Sequence, residues 1–292
     1  MADIEVWSWP AAKTPLTATR LRDGTAPVSA PQDVAEECAV SVEYNGVPYA
    51  VMMATPLDIE DFGVGFTITE RLATSPADIR AIATRPGAEG ITLDITLAPD
   101  ALRNYLALGR ARMRPGHAGC GICGSADAEA ALAPAPPVGA GVRVTPAAIH
   151  RALAELERTQ QLNHATHAVH AAGWATADGA LLLSREDVGR HNALDKLIGA
   201  GLRAGADFTA GLCVITSRCS VEMAQKATIA GMPVLAGISG PTALAVRRAV
   251  MAGLTLVGFT RGGSMSVYSG LERIDTSPEN RAECHATLPD QR

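Results

Sequence analysis

The sequence predicts an α/β protein: an α+β N-terminal region followed by a three-layer mixed sheet. Three observations point there. Hydrophobic residues make up 47% of the 292-residue chain but aromatics only 4%, so the apolar mass is Ala, Val, Leu and Ile, accompanied by 28 Gly. That composition suits an α/β core of small, close-packed side chains. The second half alternates helix and strand patterns around one hairpin, which implies a mixed sheet with helices on both faces. In the first half, Asn45-Gly46 between apolar runs and the alternating string GITLDITL mark a separate sheet.

Residues 1–35 are Pro- and Thr-rich and read as a loose arm or edge segment. Cys38 to Val51 reads as two strands turning at Asn45-Gly46. Thr55-Pro56 is expected to open a helix, Thr as N-cap and Pro at the first helical position, with Phe62 and Phe66 on its apolar face. Gly90–Leu97 places Ile91, Leu93, Ile95 and Leu97 on one side of a half-buried strand. Residues 110–124 lack periodicity and read as a loop. The Pro/Ala/Gly-rich stretch 131–141 is the best linker, dividing the chain into domains 1–138 and 139–292. Thr145-Pro146 then caps a helix with Ile149, Leu153 and Leu156 at i, i+4 and i+7. A hairpin from about His167 to Ser184 turns at Asp178-Gly179. A helix over Asn192–Leu202 precedes strand Leu212–Thr216, a helix from Ser220 to Gly231, strand Pro233–Ser239, a helix from Thr242 to Gly253, and strand Leu254–Thr260.

Composition excludes several function classes. A net charge of −5 and a pI near 5.8 argue against a general nucleic-acid binder. The longest apolar stretch, Gly231–Phe259, is interrupted by Pro233, Pro241 and Arg247-Arg248, so no membrane span is expected. The opening MADIEVWSWP lacks the basic start and apolar core of a signal peptide. Six cysteines are too sparse for a disulfide framework. These features predict a cytoplasmic protein with reduced thiols.

The most informative string is Gly119-Cys120-Gly121-Ile122-Cys123-Gly124. Glycine around both thiols frees the backbone and removes steric cover. Ser125 is placed to cap a short helix through Leu132, whose positive end, with Arg112, Arg114 and His117 nearby, favours thiolate. Four readings compete: half a zinc site, a thioredoxin-like redox pair, incidental thiols, and a nucleophilic thiolate that carries a group. The zinc reading lacks a second ligand pair. The redox reading lacks the strand that normally precedes such a pair.

Three strings sit where predicted strands end. Glu186–Ala193 contains Arg190 and His191, either an N-cap with an ion-pair network or a ligand-facing pair. Thr216–Ser220 supplies Arg218 and hydroxyls, and Ser239–Thr242 another helix start suited to phosphate. The last strand ends in Phe259-Thr260-Arg261-Gly262-Gly263-Ser264, an aromatic, an Arg and a Gly-rich turn fit for a stacked base and a phosphate. Strand ends of an open α/β sheet converge, so together these form one candidate crevice. His164, His167 and His170 resemble a metal cluster, but strand geometry would split them across two faces.

Seven ordered strings resemble the formate dehydrogenase accessory sulfurtransferase family, FdhD/NarQ: YNG (Tyr44–Gly46), MMATPLDIEDFGVGF (Met52–Phe66), GCGICG (Gly119–Gly124), EDVGRHNALDKLIG (Glu186–Gly199), SRCSVEMAQKA (Ser217–Ala227), SGPTALA (Ser239–Ala245) and GFTR (Gly258–Arg261). The resemblance covers about Glu36–Ser269. It departs at Cys38-Ala39, His117 and Thr69-Glu70-Arg71, none of which touches the thiols. What it implies is a sulfurtransferase that takes persulfide sulfur from a cysteine desulfurase and passes it to the molybdenum cofactor, bis(molybdopterin guanine dinucleotide), destined for apo formate dehydrogenase. It also implies a C-terminal domain similar to the cytidine deaminase fold, without that fold's zinc signature, and a homodimer. Cys120 is the implied sulfur carrier and Cys123 its resolving partner. Phe259, Thr260, Arg261, Gly262, Gly263, Ser264, Arg218 and His191 are the implied cofactor site, with no structural metal. The alternative is a chaperone that binds cofactor and apo-dehydrogenase without carrying sulfur.

Overall fold

A computed structural model describes residues 7–88, 90–109 and 136–277 of the chain. The segment expected as a loose arm or edge segment forms a two-stranded hairpin, β1 (Lys13–Arg20) on β2 (Val28–Ala35), paired antiparallel over its full length. Cross-strand polar pairs join the two: Lys13 with Asp33, and the Thr19 and Ser29 hydroxyls at 2.8 Å. Most of its side chains are exposed on both faces, and for that reason the stretch carries no clear apolar alternation.

The turn at Asn45 and Gly46 has φ values of 52° and 76°, which these two residue types tolerate best. It joins β3 (Cys38–Tyr44) to β4 (Val47–Ala54) as predicted. β5 (Ile79–Gly87) and β6 (Gly90–Leu97) complete a four-stranded sheet in the order β4-β3-β6-β5, with β3 and β6 parallel. Ile91, Leu93, Ile95 and Leu97 point into a core with Val40, Val42, Tyr44, Phe62 and Phe66. A second helix, α2 (Pro99–Gly109), which the sequence reading passed over, adds Ala101 and Tyr105 to that core.

The helix expected from Thr55-Pro56 begins later, at α1 (Ile59–Thr69), and Thr55 does not cap it. Its N-cap is Asp58, left-handed at φ 53° and without a capping side-chain hydrogen bond. Thr55 is fully buried and committed to the other half of the chain. Its N–H donates to Asp187 Oδ2 at 3.0 Å, its hydroxyl accepts from Val188 N at 3.1 Å, and its carbonyl accepts from Lys196 Nζ at 2.9 Å.

Beyond Val138, α3 (Pro146–Thr159) starts as predicted, with Thr145 Oγ1 accepting from Ala148 N at 3.1 Å. A short α4 (Gln161–Thr166) follows, its start held by the Glu186 carboxylate, which accepts from Leu162 N and Asn163 N. β7 (His170–Thr176) and β8 (Leu181–Asp187) form the predicted hairpin. Then come α5 (Arg190–Arg203), β9 (Gly211–Ile215), α6 (Val221–Ile229), β10 (Val234–Gly237), α7 (Ala243–Ala252) and β11 (Thr255–Arg261). A strand absent from the sequence reading, β12 (Ser264–Ser269), pairs antiparallel with β11. The six-stranded sheet runs β12-β11-β10-β9-β7-β8, with β9, β10 and β11 parallel. Alternate strand residues face opposite layers: Cys213, Ile215 and Leu235 meet α5, α6 and α7, whereas Leu212, Val214 and Val234 meet α3. Helices therefore cover both faces, as the element order implies.

The two sheets meet where α1 crosses α5. A Cβ at Gly65 would run into the Asp195 carbonyl, and one at Gly199 into the Asp61 carbonyl. Only glycine permits so close an approach of two backbones. Around this crossing, Asp61 accepts from Arg185 (2.7 and 2.9 Å) and Arg203 (2.6 Å). Lys226 Nζ lies 2.8 Å from Asp195 and donates to Thr69 Oγ1 at 2.9 Å.

Candidate functional site

The parallel strands β9, β10 and β11 end side by side, and their following loops are tied together. Ile238 N donates to Ile215 O at 3.2 Å, Thr242 N to Cys219 O at 3.1 Å, and Phe259 N to Ser239 O at 3.4 Å. Of the four strings read from the sequence, Thr216–Ser220, Ser239–Thr242 and Phe259–Ser264 thus converge at one edge of the sheet, whereas Glu186–Ala193 follows β8, beyond β7 in the strand order.

On the α3 side of that edge lies a cavity of about 1630 Å³. Thr260, Arg261, Gly262 and Gly263 line it, together with Thr216 and Ile238 from the neighbouring strand ends. Arg261 is exposed, whereas Thr260 is 4% exposed and its Oγ1 has no hydrogen-bond partner. Arg143, His150 and His170 face the same space. Burial pulls both imidazoles below their ordinary 6.5, and for His170 the charge of Arg190 adds to the effect. Burial therefore favours the neutral form of both rings.

The other expected site residues lie elsewhere around the edge. Phe259 is 55% exposed, does not line the cavity and lays its ring against Gly240, where a Cβ would meet it. Its φ of 54° is unusual for an aromatic residue, and the β11–β12 register shifts between Gly258 and Arg261. Simple alternation is therefore broken here, although Phe259 and Arg261 are both exposed. Ser264 donates its hydroxyl to Arg261 O at 3.0 Å and so braces the turn. Arg218 is exposed outside the cavity. His191 is buried at the start of α5, with Nε2 4.0 Å from Glu222 Oε2.

Much of the string Glu186–Gly199 is framework. Asp187 and Lys196, both fully buried, pair at 2.7 Å. Asp187 Oδ1 accepts from Gly189 N at 2.7 Å and Asn192 Nδ2 at 3.0 Å, and Asn192 also donates to Met53 O at 2.8 Å. Neither Asp187 nor Asn192, the two candidate caps in this string, caps α5, whose N-cap is Gly189 with no capping side-chain hydrogen bond, and Glu186 serves α4 rather than pairing with Arg190. Sequence reasoning missed His150 and Arg143 altogether. His150 sits one residue from the apolar stripe of α3, and no local pattern marks it.

Cys120 and Cys123 lie outside the described residues, as does the expected helix from Ser125. The three described cysteines are poor nucleophiles. Burial pushes the Cys213 thiol well up and the Cys219 thiol up to about 12. Cys38 is raised too, burial outweighing the nearby Lys196 charge. Among the described residues no three His, Cys, Asp or Glu are grouped to hold a metal ion, and no helix is long and apolar enough to cross a membrane.

The FdhD/NarQ family model matches residues 35–275. The chain belongs to the FdhD/NarQ family. Curated FdhD relatives match over most of their length. The sulfur carrier protein FdhD of Xanthomonas campestris pv. campestris is 50% identical over 242 residues, 83% of this chain and 85% of that protein. The sulfur carrier protein FdhD of Cupriavidus necator is 41% identical over 265 residues, 91% of each chain. A crystal structure of a candidate formate dehydrogenase accessory protein from Desulfotalea psychrophila shares the fold, with a TM-score of 0.72 and 24% identity over 91% of this chain and all of that one. All seven strings that suggested FdhD/NarQ from sequence fall within the matched span.

Proposed function

We propose that this FdhD/NarQ chain is a sulfurtransferase that carries persulfide sulfur from a cysteine desulfurase to the molybdenum cofactor of formate dehydrogenase. The 50% identity to a protein named as a sulfur carrier supports this reading most directly. The Cys120 thiolate attacks the outer sulfur of the desulfurase persulfide. The S–S bond breaks, the desulfurase thiol leaves and regains its proton, and Cys120 holds the sulfane sulfur without net oxidation. Cys123 resolves or passes on that sulfur. The raised thiols of Cys38, Cys213 and Cys219 favour assigning the chemistry to the glycine-flanked pair.

The acceptor is bis(molybdopterin guanine dinucleotide), whose guanine and pyrophosphate groups suit the strand-end crevice of Thr260–Gly263, with Phe259, Ser264, Arg218 and His191 around it. In this reading the six-stranded layer is a cytidine deaminase-like frame reused to hold cofactor, and the protein works in the cytoplasm as a homodimer beside the apo-dehydrogenase. The test is intact-protein mass after incubation with a cysteine desulfurase and cysteine. We expect one added sulfur on wild type and none on the Cys120→Ala, Cys123→Ala double variant, which should also fail to mature formate dehydrogenase. Maturation by that variant at the wild-type level would replace the relay with a cofactor-binding chaperone.

A further inference from the structure

Acidic side chains are unevenly spread along this chain. Residues 223–271 hold none of its 30 Asp and Glu but four of its 25 Lys and Arg, which leaves 21 cations against 30 acids elsewhere. That stretch builds most of α6 and all of β10, α7, β11 and β12. One end of the six-stranded sheet is therefore free of acid in a protein of net charge −5. Lys226 is buried on Asp195. Arg247 and Arg261 are exposed, Arg248 is half-buried, and none of the three forms an ion pair among the described residues. The first acid beyond the stretch, Glu272, lies 3.5 Å from Arg273.

The same surface keeps large apolar groups in water. Val250 and Met251, at 62% and 68% exposed, stand on the outer side of α7, whose buried side is Ala245, Ala249 and Ala252. α7 itself lies on β11 and β12. Exposed Phe259 rests its ring against Gly240, three residues before α7, and exposed Tyr268 stands beside Gly258. Leu271 is exposed just past Gly270, whose carbonyl accepts from the Thr255 hydroxyl at the other end of β11. Single exposed apolar side chains are ordinary, whereas several around one edge strand mark an interaction surface. Aromatic, Met and Arg side chains with few Lys, Asp or Glu are the composition of a protein–protein interface core.

Charge decides what fits there. A second copy placed across a two-fold axis would set these arginines against their own counterparts. An acid-bearing apolar face on a different protein meets them with opposite charge. The surface also adjoins the strand-end crevice, because Arg261 lines the cavity and Phe259 directly precedes Thr260, which lines it too. We propose that Arg247, Val250, Met251, Phe259, Tyr268 and Leu271 form the docking surface for an acidic, apolar-centred face of the apo-dehydrogenase. This rests on the sulfur-carrier reading above and gives it the side from which the receiving enzyme approaches.

Biolayer interferometry of the full chain against purified apo-formate dehydrogenase tests it. Arg247→Glu and Met251→Asp alter exposed side chains, so both should keep the wild-type melting temperature to within a few degrees. Each should weaken dehydrogenase binding roughly 10-fold or more. Wild-type affinity should fall as salt rises, and less steeply in Arg247→Glu. Arg80→Glu makes the same charge change on an exposed position of β5, away from this surface, and should bind as wild type does. Sulfur loading by the desulfurase, read as intact mass, should be unchanged in all three variants. Wild-type dehydrogenase affinity in both Arg247→Glu and Met251→Asp would overturn the proposal and leave sulfur carriage intact. An equal loss in Arg80→Glu would overturn it too, since net charge rather than this surface would then set the affinity. So would loss of sulfur loading in the two surface variants, which would give the surface to the desulfurase, or a wild-type dimer in sedimentation velocity that Met251→Asp dissociates, which would give it to a second copy. Failure of wild type to bind the apo-dehydrogenase would strike this proposal alone, whereas failure of wild type to load sulfur would strike the sulfur-carrier reading on which it rests.

Discussion

Cys213 and Cys219 sit within the sheet and loop packing with almost no access, and Cys219 Sγ lies 3.7 Å from Val257 O. A thiol held protonated is neither a nucleophile nor a sulfur acceptor. Brief labelling of the native protein with a maleimide at neutral pH should therefore leave both unmodified, while labelling in denaturant reaches all six cysteines. Native modification of Cys213 or Cys219, read by peptide mass, would reopen them as carriers. Glu155 offers a second prediction. The Leu181 N–H at 2.7 Å, then Arg151 at 3.0 Å, hold its carboxyl below its ordinary 4.5. A carboxylate whose folded pKa is depressed stabilises the fold above its unfolded value and loses that contribution as pH falls through the folded one. The melting temperature of wild type should thus exceed that of Glu155→Gln near neutral pH, and the gap should close as pH falls below 4.5. A difference that persists unchanged in acid would show that the carboxylate's charge is not what matters there.

At the scale of elements, the α1–α5 crossing depends on two glycines. Gly65→Ala and Gly199→Ala each force a methyl into a backbone carbonyl. Such overpacking costs about 1–3 kcal/mol or more, a drop of very roughly 2–12 °C in melting temperature. Gly139→Ala is the control, since nothing lies within 4 Å of a Cβ there and its φ is not positive. Equal melting of all three variants would show that the crossing relaxes freely. The same elements show what was legible beforehand. Asn45-Gly46, the alternation of β6 and the Thr145 and Thr242 caps are local signals, and the elements they mark are present. Thr55-Pro56 misled because every Thr55 hydrogen bond given above goes to residues far along the chain. α4 was missed because Glu186, more than 20 residues away, secures its start. β12 was missed because Gly262-Gly263 reads equally as a ligand turn and a hairpin turn. At the candidate site, the convergence of three strand ends was legible. The split between a cavity holding Thr260–Gly263 and residues outside it was not, because the α3 wall is remote in sequence.

For the whole molecule, the core of the four-stranded sheet and the core on the α5 face of the six-stranded sheet are joined at a crossing reinforced by buried ion pairs. Breaking a buried pair leaves an uncompensated charge, at a cost of about 3–5 kcal/mol, so neither half tolerates separation well. The chain should unfold in urea as one unit. Trp7→Phe with Trp9→Phe leaves Trp174, packed on Phe208 in the second core, as the sole tryptophan. Its fluorescence midpoint should coincide with the near-ultraviolet dichroism of Tyr44, Tyr49 and Tyr105, which cluster in the first core. Separate midpoints would show the halves melting apart. The crossing also sets a timetable for the newborn polypeptide. Met53 and Thr55 find their partners 132 to 141 residues downstream, and Asp61 reaches Arg185 and Arg203, 124 and 142 residues downstream. At a synthesis rate of about 5–20 residues per second, the emerging N-terminal half waits roughly 7–28 s for the helix that covers it. Throughout that interval α1 presents its glycine face and its Asp61 carboxylate to water and to whatever attends the ribosome.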